Sequence, residues 1–132
     1  MEELNLYCNK ITSIDGLCKS NLSKLKILNL GNNQISDIST LKSSPFKDLT
    51  KLILFDNKIE DISVFKDVTF KNIEELDLSY NKIKSVEVFQ DISFEKLTDF
   101  KFGANDPLDY SNEKISDIYK KYKIKFTYES LL

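Results

Sequence analysis

Leu25-Lys26-Ile27-Leu28-Asn29-Leu30-Gly31-Asn32-Asn33-Gln34-Ile35-Ser36-Asp37-Ile38 decides the fold, because its pattern returns along the chain at a fixed step of 24 residues. Its copies align on Asn9, Asn33, Asn57, Asn81 and Asn105. The same step carries Leu4 to Leu28, Leu52, Leu76 and Phe100, and Leu6 to Leu30, Leu54, Leu78 and Phe102. One period shared by so many positions makes the chain a solenoid of stacked units. The units start near residues 1, 25, 49, 73 and 97 and form a single domain over residues 1–132.

Each unit reads in three parts. A short strand such as Leu28-Asn29-Leu30 or Leu76-Asp77-Leu78 alternates apolar and outward residues, so both Leu side chains fall on one face. The turn that follows carries the repeated Asn. A buried Asn side chain holds donors and an acceptor, enough to satisfy backbone groups freed where the strand ends, and stacked copies form a structural ladder. The return carries Ile35, Ile38, Leu41 and Phe46, repeated as Ile59, Ile62, Phe65 and Phe70. Its spacing predicts a short helical turn, with Ser39 and Ser63 as N-caps. The Phe46, Phe70 and Phe94 row is core.

The Leu25–Ile38 signature resembles the leucine-rich repeat family, and variants of it cover nearly the whole chain. The resemblance implies an α/β fold: a right-handed horseshoe solenoid with a parallel concave sheet of about six strands and short helical or 3-10 segments on the convex side. The Asn-x-Ile-x-x-Ile ending is similar to the SDS22-like subclass and to bacterial internalins. Their repeat is usually about 22 residues, and the surplus here lies in the return, between Leu41 and Phe46. SDS22-like proteins bind protein phosphatases and internalins bind host receptors. The residues that match are scaffold positions, so neither role is carried over.

Composition narrows the function. Of the 132 residues 41% are hydrophobic and 30% charged, and the net charge is −2. That is an ordinary soluble domain with no basic field for nucleic acid. The absence of His removes the usual neutral-pH base and commonest metal ligand, and the absence of Arg removes the bidentate phosphate clamp. No Gly-rich phosphate loop occurs. Asp56, Asp77 and Glu75 form a loose acidic group that Lys51 and Lys58 neutralise. We therefore expect neither enzyme activity nor a metal or cofactor. Cys8 and Cys18 match no redox or zinc spacing, and their opposite placement in one unit argues against a disulfide. The opening residues are no signal peptide, and no apolar run reaches membrane-spanning length. If Met1 is the natural start, the expectation is a cytoplasmic protein.

The ends differ. In the fifth unit Pro107 and Tyr110 replace the two Ile. Ile115, Ile118, Tyr119 and Tyr122 then have helical spacing, predicting a C-terminal cap over 106–132 with a helix over 111–121 and Ser111 as its N-cap. Ile124 and Phe126 keep the phase, predicting a last strand over 123–128. At the other end, Ile11, Ile14, Leu17 and Leu22 have no preceding unit to stack on. An uncovered solenoid end predicts either a longer natural protein or self-association through the N-terminal repeat.

Outward strand positions, unlike core ones, are not periodic. Asn5, Asn29, Ile53, Asp77, Lys101 and Lys125 make one row, Tyr7, Gly31, Phe55, Ser79, Gly103 and Thr127 the next, and Glu3, Ile27, Lys51, Glu75, Asp99 and Lys123 a third. Ile27, Ile53 and Phe55 place apolar groups on this surface, and Tyr7 and Tyr80 join them as amphipathic anchors. The expected function is a protein-interaction scaffold whose concave face binds a protein partner through Tyr7, Ile27, Asn29, Ile53, Phe55, Asp77, Tyr80 and Lys101. Two alternatives stand beside it: a structural repeat segment of a larger surface or effector protein, and a regulatory subunit of an enzyme such as a phosphatase.

Overall fold

Five three-residue strands lie side by side in chain order: β1 (Glu3–Asn5), β2 (Ile27–Asn29), β3 (Lys51–Ile53), β4 (Glu75–Asp77) and β5 (Asp99–Lys101). The computed structural model describes residues 1–106 and 108–122. The last strand expected from sequence, over 123–128, lies outside the described residues, as does Pro107. Every pairing is parallel, and Leu4 faces Leu28, Leu28 faces Leu52, Leu52 faces Leu76 and Leu76 faces Phe100. The sequence step is thus the register itself. At about 4.8 Å per strand, the sheet is about 20 Å across.

The ladder of hydrogen bonds continues past the strands. Leu30 N–H donates to Ile53 C=O (2.8 Å), Asn32 N–H to Phe55 C=O (2.7 Å) and Asp56 N–H to Ser79 C=O (3.0 Å). The backbone then turns through the left-handed region at Cys8, Asn32, Asp56, Tyr80 and Ala104, with φ of 61°, 53°, 55°, 57° and 54°. That turn carries the chain off the sheet and delivers the repeated Asn inward.

Asn33, Asn57, Asn81 and Asn105 are buried and make the same bonds. Asn57 Oδ1 accepts from Ile35 N–H of the preceding unit (3.0 Å). Its Nδ2 donates to Leu30 C=O of that unit (3.0 Å) and to Leu54 C=O of its own (3.1 Å). One side chain thereby ties two rungs together. Asn9 is exposed and bonds only within its own turn, to Leu6 and Tyr7 carbonyls at 2.9 and 3.3 Å.

Between the sheet and the returns lies a dry interior of stacked Leu, Ile and Phe, including Phe46, Phe70 and Phe94. The returns hold α1 (Asp15–Cys18), 3-10 turns at Ser39–Ser43 and Ser63–Lys66, and α2 (Val88–Asp91). Ser39 and Ser63 are not the caps. Each is the first residue of its 3-10 turn, and its N–H donates to Oδ1 of Asp37 or Asp61 at 2.8 Å. A carboxylate two residues upstream closes a tighter ring than a cap on the turn itself. Both carboxyls are held below their ordinary range by these Ser39 and Ser63 hydrogen bonds.

The fifth unit closes differently. Phe100 and Phe102 replace the Leu pair, and α3 (Glu113–Lys121) lays Ile115, Ile118 and Tyr119 on the core, with Tyr122 following. Its cap is Asn112 and not Ser111: Asn112 Oδ1 accepts from Lys114 N–H at 2.9 Å, so the helix starts two residues later than the sequence suggests. Ser111 N–H is instead taken by Asp109 Oδ1 (3.0 Å). Tyr110, in the second Ile slot, donates its hydroxyl to Phe102 C=O (2.7 Å) and accepts from Asn105 N–H (2.8 Å). The equivalent carbonyl of Leu78 receives the next unit's Asn105 amide instead. Lys121 Nζ donates to the carbonyls of Phe89, Gln90 and Ile92 at the end of α2, where a cation is favoured.

Asn57→Ala strands the buried Ile35 N–H and takes one of two donors from the Leu30 and Leu54 carbonyls, which keep Asn33 and Asn81, and should cost about 2–4 kcal/mol in urea unfolding, against under about 1 kcal/mol for exposed Asn9→Ala. Equal losses would contradict the ladder.

Burial pushes the Tyr110 and Tyr122 hydroxyls above their ordinary pKa, so the fold holds the neutral phenols. That contribution is complete below the unfolded value of about 10 and is lost as pH rises through the folded values. Tyr110→Phe should therefore lower stability at neutral pH, by about 1–3 kcal/mol, and flatten its alkaline decline. Unfolding measured across that pH range checks both.

Candidate partner-binding face

Strand alternation sets what the sheet shows outward. Leu28, Leu52 and Leu76 point into the core, while their neighbours Ile27, Asn29, Ile53 and Asp77 are half-buried on the other face, and Lys101 is exposed there. Register brings Asn29, Ile53, Asp77 and Lys101 into one row across four strands and sets Ile27 beside Lys51.

The row is not uniform. Asn5, Asn29 and Asp77 turn their side chains back on the strand end, each Oδ1 accepting from the N–H two residues on (Tyr7, Gly31, Ser79) at 3.0 Å. Those oxygens are already engaged by the backbone. Ile53 offers no such oxygen, so the third rung is an apolar break in a polar row.

Phe55 adjoins that break. It is half-buried, and its ring meets Tyr80 edge-on, with centroids 5.2 Å apart and planes at 64°. Tyr80 lies on the left-handed turn beside the strand row. It keeps 49% exposure, and Tyr7 keeps 50%. A left-handed residue bearing a side chain costs roughly 1–2 kcal/mol, and an aromatic pair returns about 0.5–1.5 kcal/mol. Tyr7 reaches over the next rung: a Cβ at Gly31 would sit 3.1 Å from its Cδ2 and 3.4 Å from Phe55 C=O. Gly31 is the gap that lets this ring lie down. Tyr7, Phe55 and Tyr80 thus give an aromatic strip over the first four units.

The charges beside the strip are largely matched. Lys51 Nζ lies 3.2 Å from Glu75 and Lys101 Nζ 3.8 Å from Asp99; such partly exposed pairs each contribute at most about 1 kcal/mol. No group of acidic or Cys side chains able to hold a metal occurs among the described residues. Cys8 is exposed and Cys18 buried, both as free thiols; burial pushes the Cys18 thiol above its ordinary pKa. Among the described residues, no helix is long and apolar enough to cross a membrane.

Sequence reading missed the left-handed turn. Its signal was Asn32 and Asp56, types that tolerate positive φ, but Cys8, Tyr80 and Ala104 in equivalent places concealed it.

The family model for leucine-rich repeats in two copies matches residues 1–43 and 47–91, more than half of the chain. The chain belongs to the leucine-rich repeat family, and its sheet is that of a leucine-rich repeat horseshoe. Among solved structures it is similar to the functional domain of the internalin InlJ from Listeria monocytogenes (26% identity, 84% of this chain and 23% of that one, TM-score 0.63). A leucine-rich repeat protein of Leptospira interrogans matches at 25% identity over 91% of this chain and 29% of that one, with TM-score 0.68. TLR13, in its complex with ssRNA13, matches at 31% identity over 84% of this chain and 16% of that one, with TM-score 0.67. The chain therefore spans less than a third of the length of each of these three proteins. No curated protein sequence matches it. Leucine-rich repeat proteins generally mediate protein–protein interaction.

Proposed function

We propose that the chain is a non-enzymatic interaction module that takes a protein partner on its concave face, centred on Ile53, Phe55 and Tyr80. The observation that carries this is the Phe55–Tyr80 pair: two aromatic rings held together outside the core, one of them on a left-handed backbone position. Exposed aromatics are the side chains enriched among binding hot spots. Tyr7, Ile27, Asn29, Asp77 and Lys101 supply the surrounding contacts. The family's general role supports the reading. The free thiols of Cys8 and Cys18 favour a reducing, cytoplasmic compartment.

A second reading, a repeat segment working within a longer array, is favoured by the small share of each similar structure that the chain spans. In that case the same face contributes a few rungs of a wider one.

Phe55→Ala and Tyr80→Ala should leave unfolding within about 1 kcal/mol of the wild type while costing about 2 kcal/mol or more in binding. Affinity capture from a lysate of the source organism reads the second effect as a more than tenfold loss of the retained partner. Undiminished capture by the double variant, or unfolding by Phe55→Ala alone, would refute the assignment of this face.

A further inference from the structure

The first unit differs from the others on the side away from β2. Leu4, Leu6, Ile11, Leu17 and Leu22 are only partly buried, while their equivalents Leu28, Leu30, Ile35, Leu41 and Phe46 are at most 1% exposed. The backbone beside this apolar row is open as well. Leu6 and Cys8 donate their N–H groups toward the second unit, to Asn29 and Gly31 C=O (2.8 and 3.0 Å), and alternate residues of a strand bond to opposite sides. Glu3 and Asn5 therefore aim N–H and C=O away from β2, and among the described residues no strand meets them there. Such an edge is a template for another strand.

A second copy of the chain cannot fill this place with its own fifth unit. In the ladder, each asparagine Oδ1 accepts from the N–H in the Ile slot of the unit before, as Asn33 does from Ile11 (3.0 Å). Pro107 holds that slot in the fifth unit and has no N–H. The Phe102 carbonyl that Asn9 would also need already takes Asn105 and the Tyr110 hydroxyl. Head-to-tail stacking, which builds open filaments, is thereby closed off. A two-fold pairing of β1 with β1 of a second copy is not, and the edge groups fix its register. Leu4 opposite Leu4 sets Glu3 against Asn5 of the other copy, and both such pairs exchange N–H···O bonds. Slipped one way, the strands would put Glu3 on Glu3, like charges face to face. Slipped the other way, Glu3 would meet Tyr7, whose N–H is already held by Asn5 Oδ1 (3.0 Å). The favoured register also brings Met1 of one copy opposite Tyr7 of the other. These two belong to the few large apolar side chains left exposed, Met1 at 69%, and a thioether packs well against an aromatic ring.

We propose that the chain forms a two-fold dimer through the outer edge of β1, with the apolar rows of the two first units meeting beneath the joined strands. Pairing of this isologous kind buries the same surface on both copies and closes on itself. Its axis stands perpendicular to the sheet, so the two concave faces lie on one side and form a continuous surface, with both Tyr7 side chains near the centre. The dimer goes beyond the partner-binding reading and holds whichever protein that face takes.

Sedimentation equilibrium of the full chain over a concentration series tests this. The wild type should reach twice the mass of one chain. Glu3→Pro removes an N–H that faces only the dimer edge, where a strand tolerates proline, and Ile11→Lys puts a charge into the apolar row. Each should raise the dissociation constant about tenfold or more. Thermal unfolding identifies a variant that fails to fold, and the other then carries the comparison. Disulfides read the register: in a Cys8→Ser background, Glu3→Cys mixed with Asn5→Cys should on air oxidation link unlike chains in preference to like ones. A monomer at every concentration, a dimer indifferent to the folded variants, or a preference for like-chain links would overturn the inference and leave the partner-binding face standing.

Discussion

The side-chain amide of the repeated asparagine is the interaction on which the rest depends. A three-residue strand followed by a turn leaves backbone groups facing a dry interior, where each unpaired one costs about 1–3 kcal/mol. Asn33, Asn57, Asn81 and Asn105 answer that problem with one acceptor and two donors apiece, directed at two successive units. Because each amide needs the unit before it, stability passes from rung to rung, as expected of a quasi-one-dimensional protein. The same requirement distinguishes the ends. Asn9 remains exposed, whereas at the fifth unit the Tyr110 hydroxyl takes the carbonyl that a further asparagine would have served.

Once the ladder fixes the register, the division between core and working surface follows. Inward positions must repeat, because every Leu or Ile stacks on its equivalent in the neighbouring unit; Leu52, Leu54 and Ile59 are completely buried. Outward positions on the strands meet no such demand. They hold in adjacent rungs a glycine, a phenylalanine and a serine (Gly31, Phe55, Ser79) without disturbing the sheet. The packing consequences on that face are local: Gly31 makes room for the Tyr7 ring, and Phe55 meets Tyr80.

This division also decides what could be read in advance. The strands, their register and the buried asparagines were legible because a shared period marks them in Leu28, Leu52, Leu76 and Asn57 alike. The left-handed turn was not, because both of its sides are held by the ladder (Cys8 N–H on Gly31 C=O, Tyr80 N–H on Gly103 C=O, each 3.0 Å). The backbone there is set by neighbouring rungs whatever the residue, so Cys8, Tyr80 and Ala104 gave no hint of it. The caps were misassigned for a related reason: Ser39 and Asp37 both suit a helix start, and only the observed 3-10 geometry selects the carboxylate. For the candidate face, sequence supplied the rows and their apolar members. The Phe55–Tyr80 contact was not legible there, since it joins residues on different rungs.

Amide hydrogen exchange at Ile35, Ile59 and Ile83 tests the central claim most directly, because each N–H is held by the asparagine of the following unit at 3.0–3.1 Å. These amides lie in the turns, outside any strand, where local fraying would ordinarily expose them. The account predicts that they exchange only through global unfolding, as slowly as the amides of Leu30 and Leu54 in the sheet ladder. Exchange at the rate of exposed loop amides, with the sheet still protected, would contradict it.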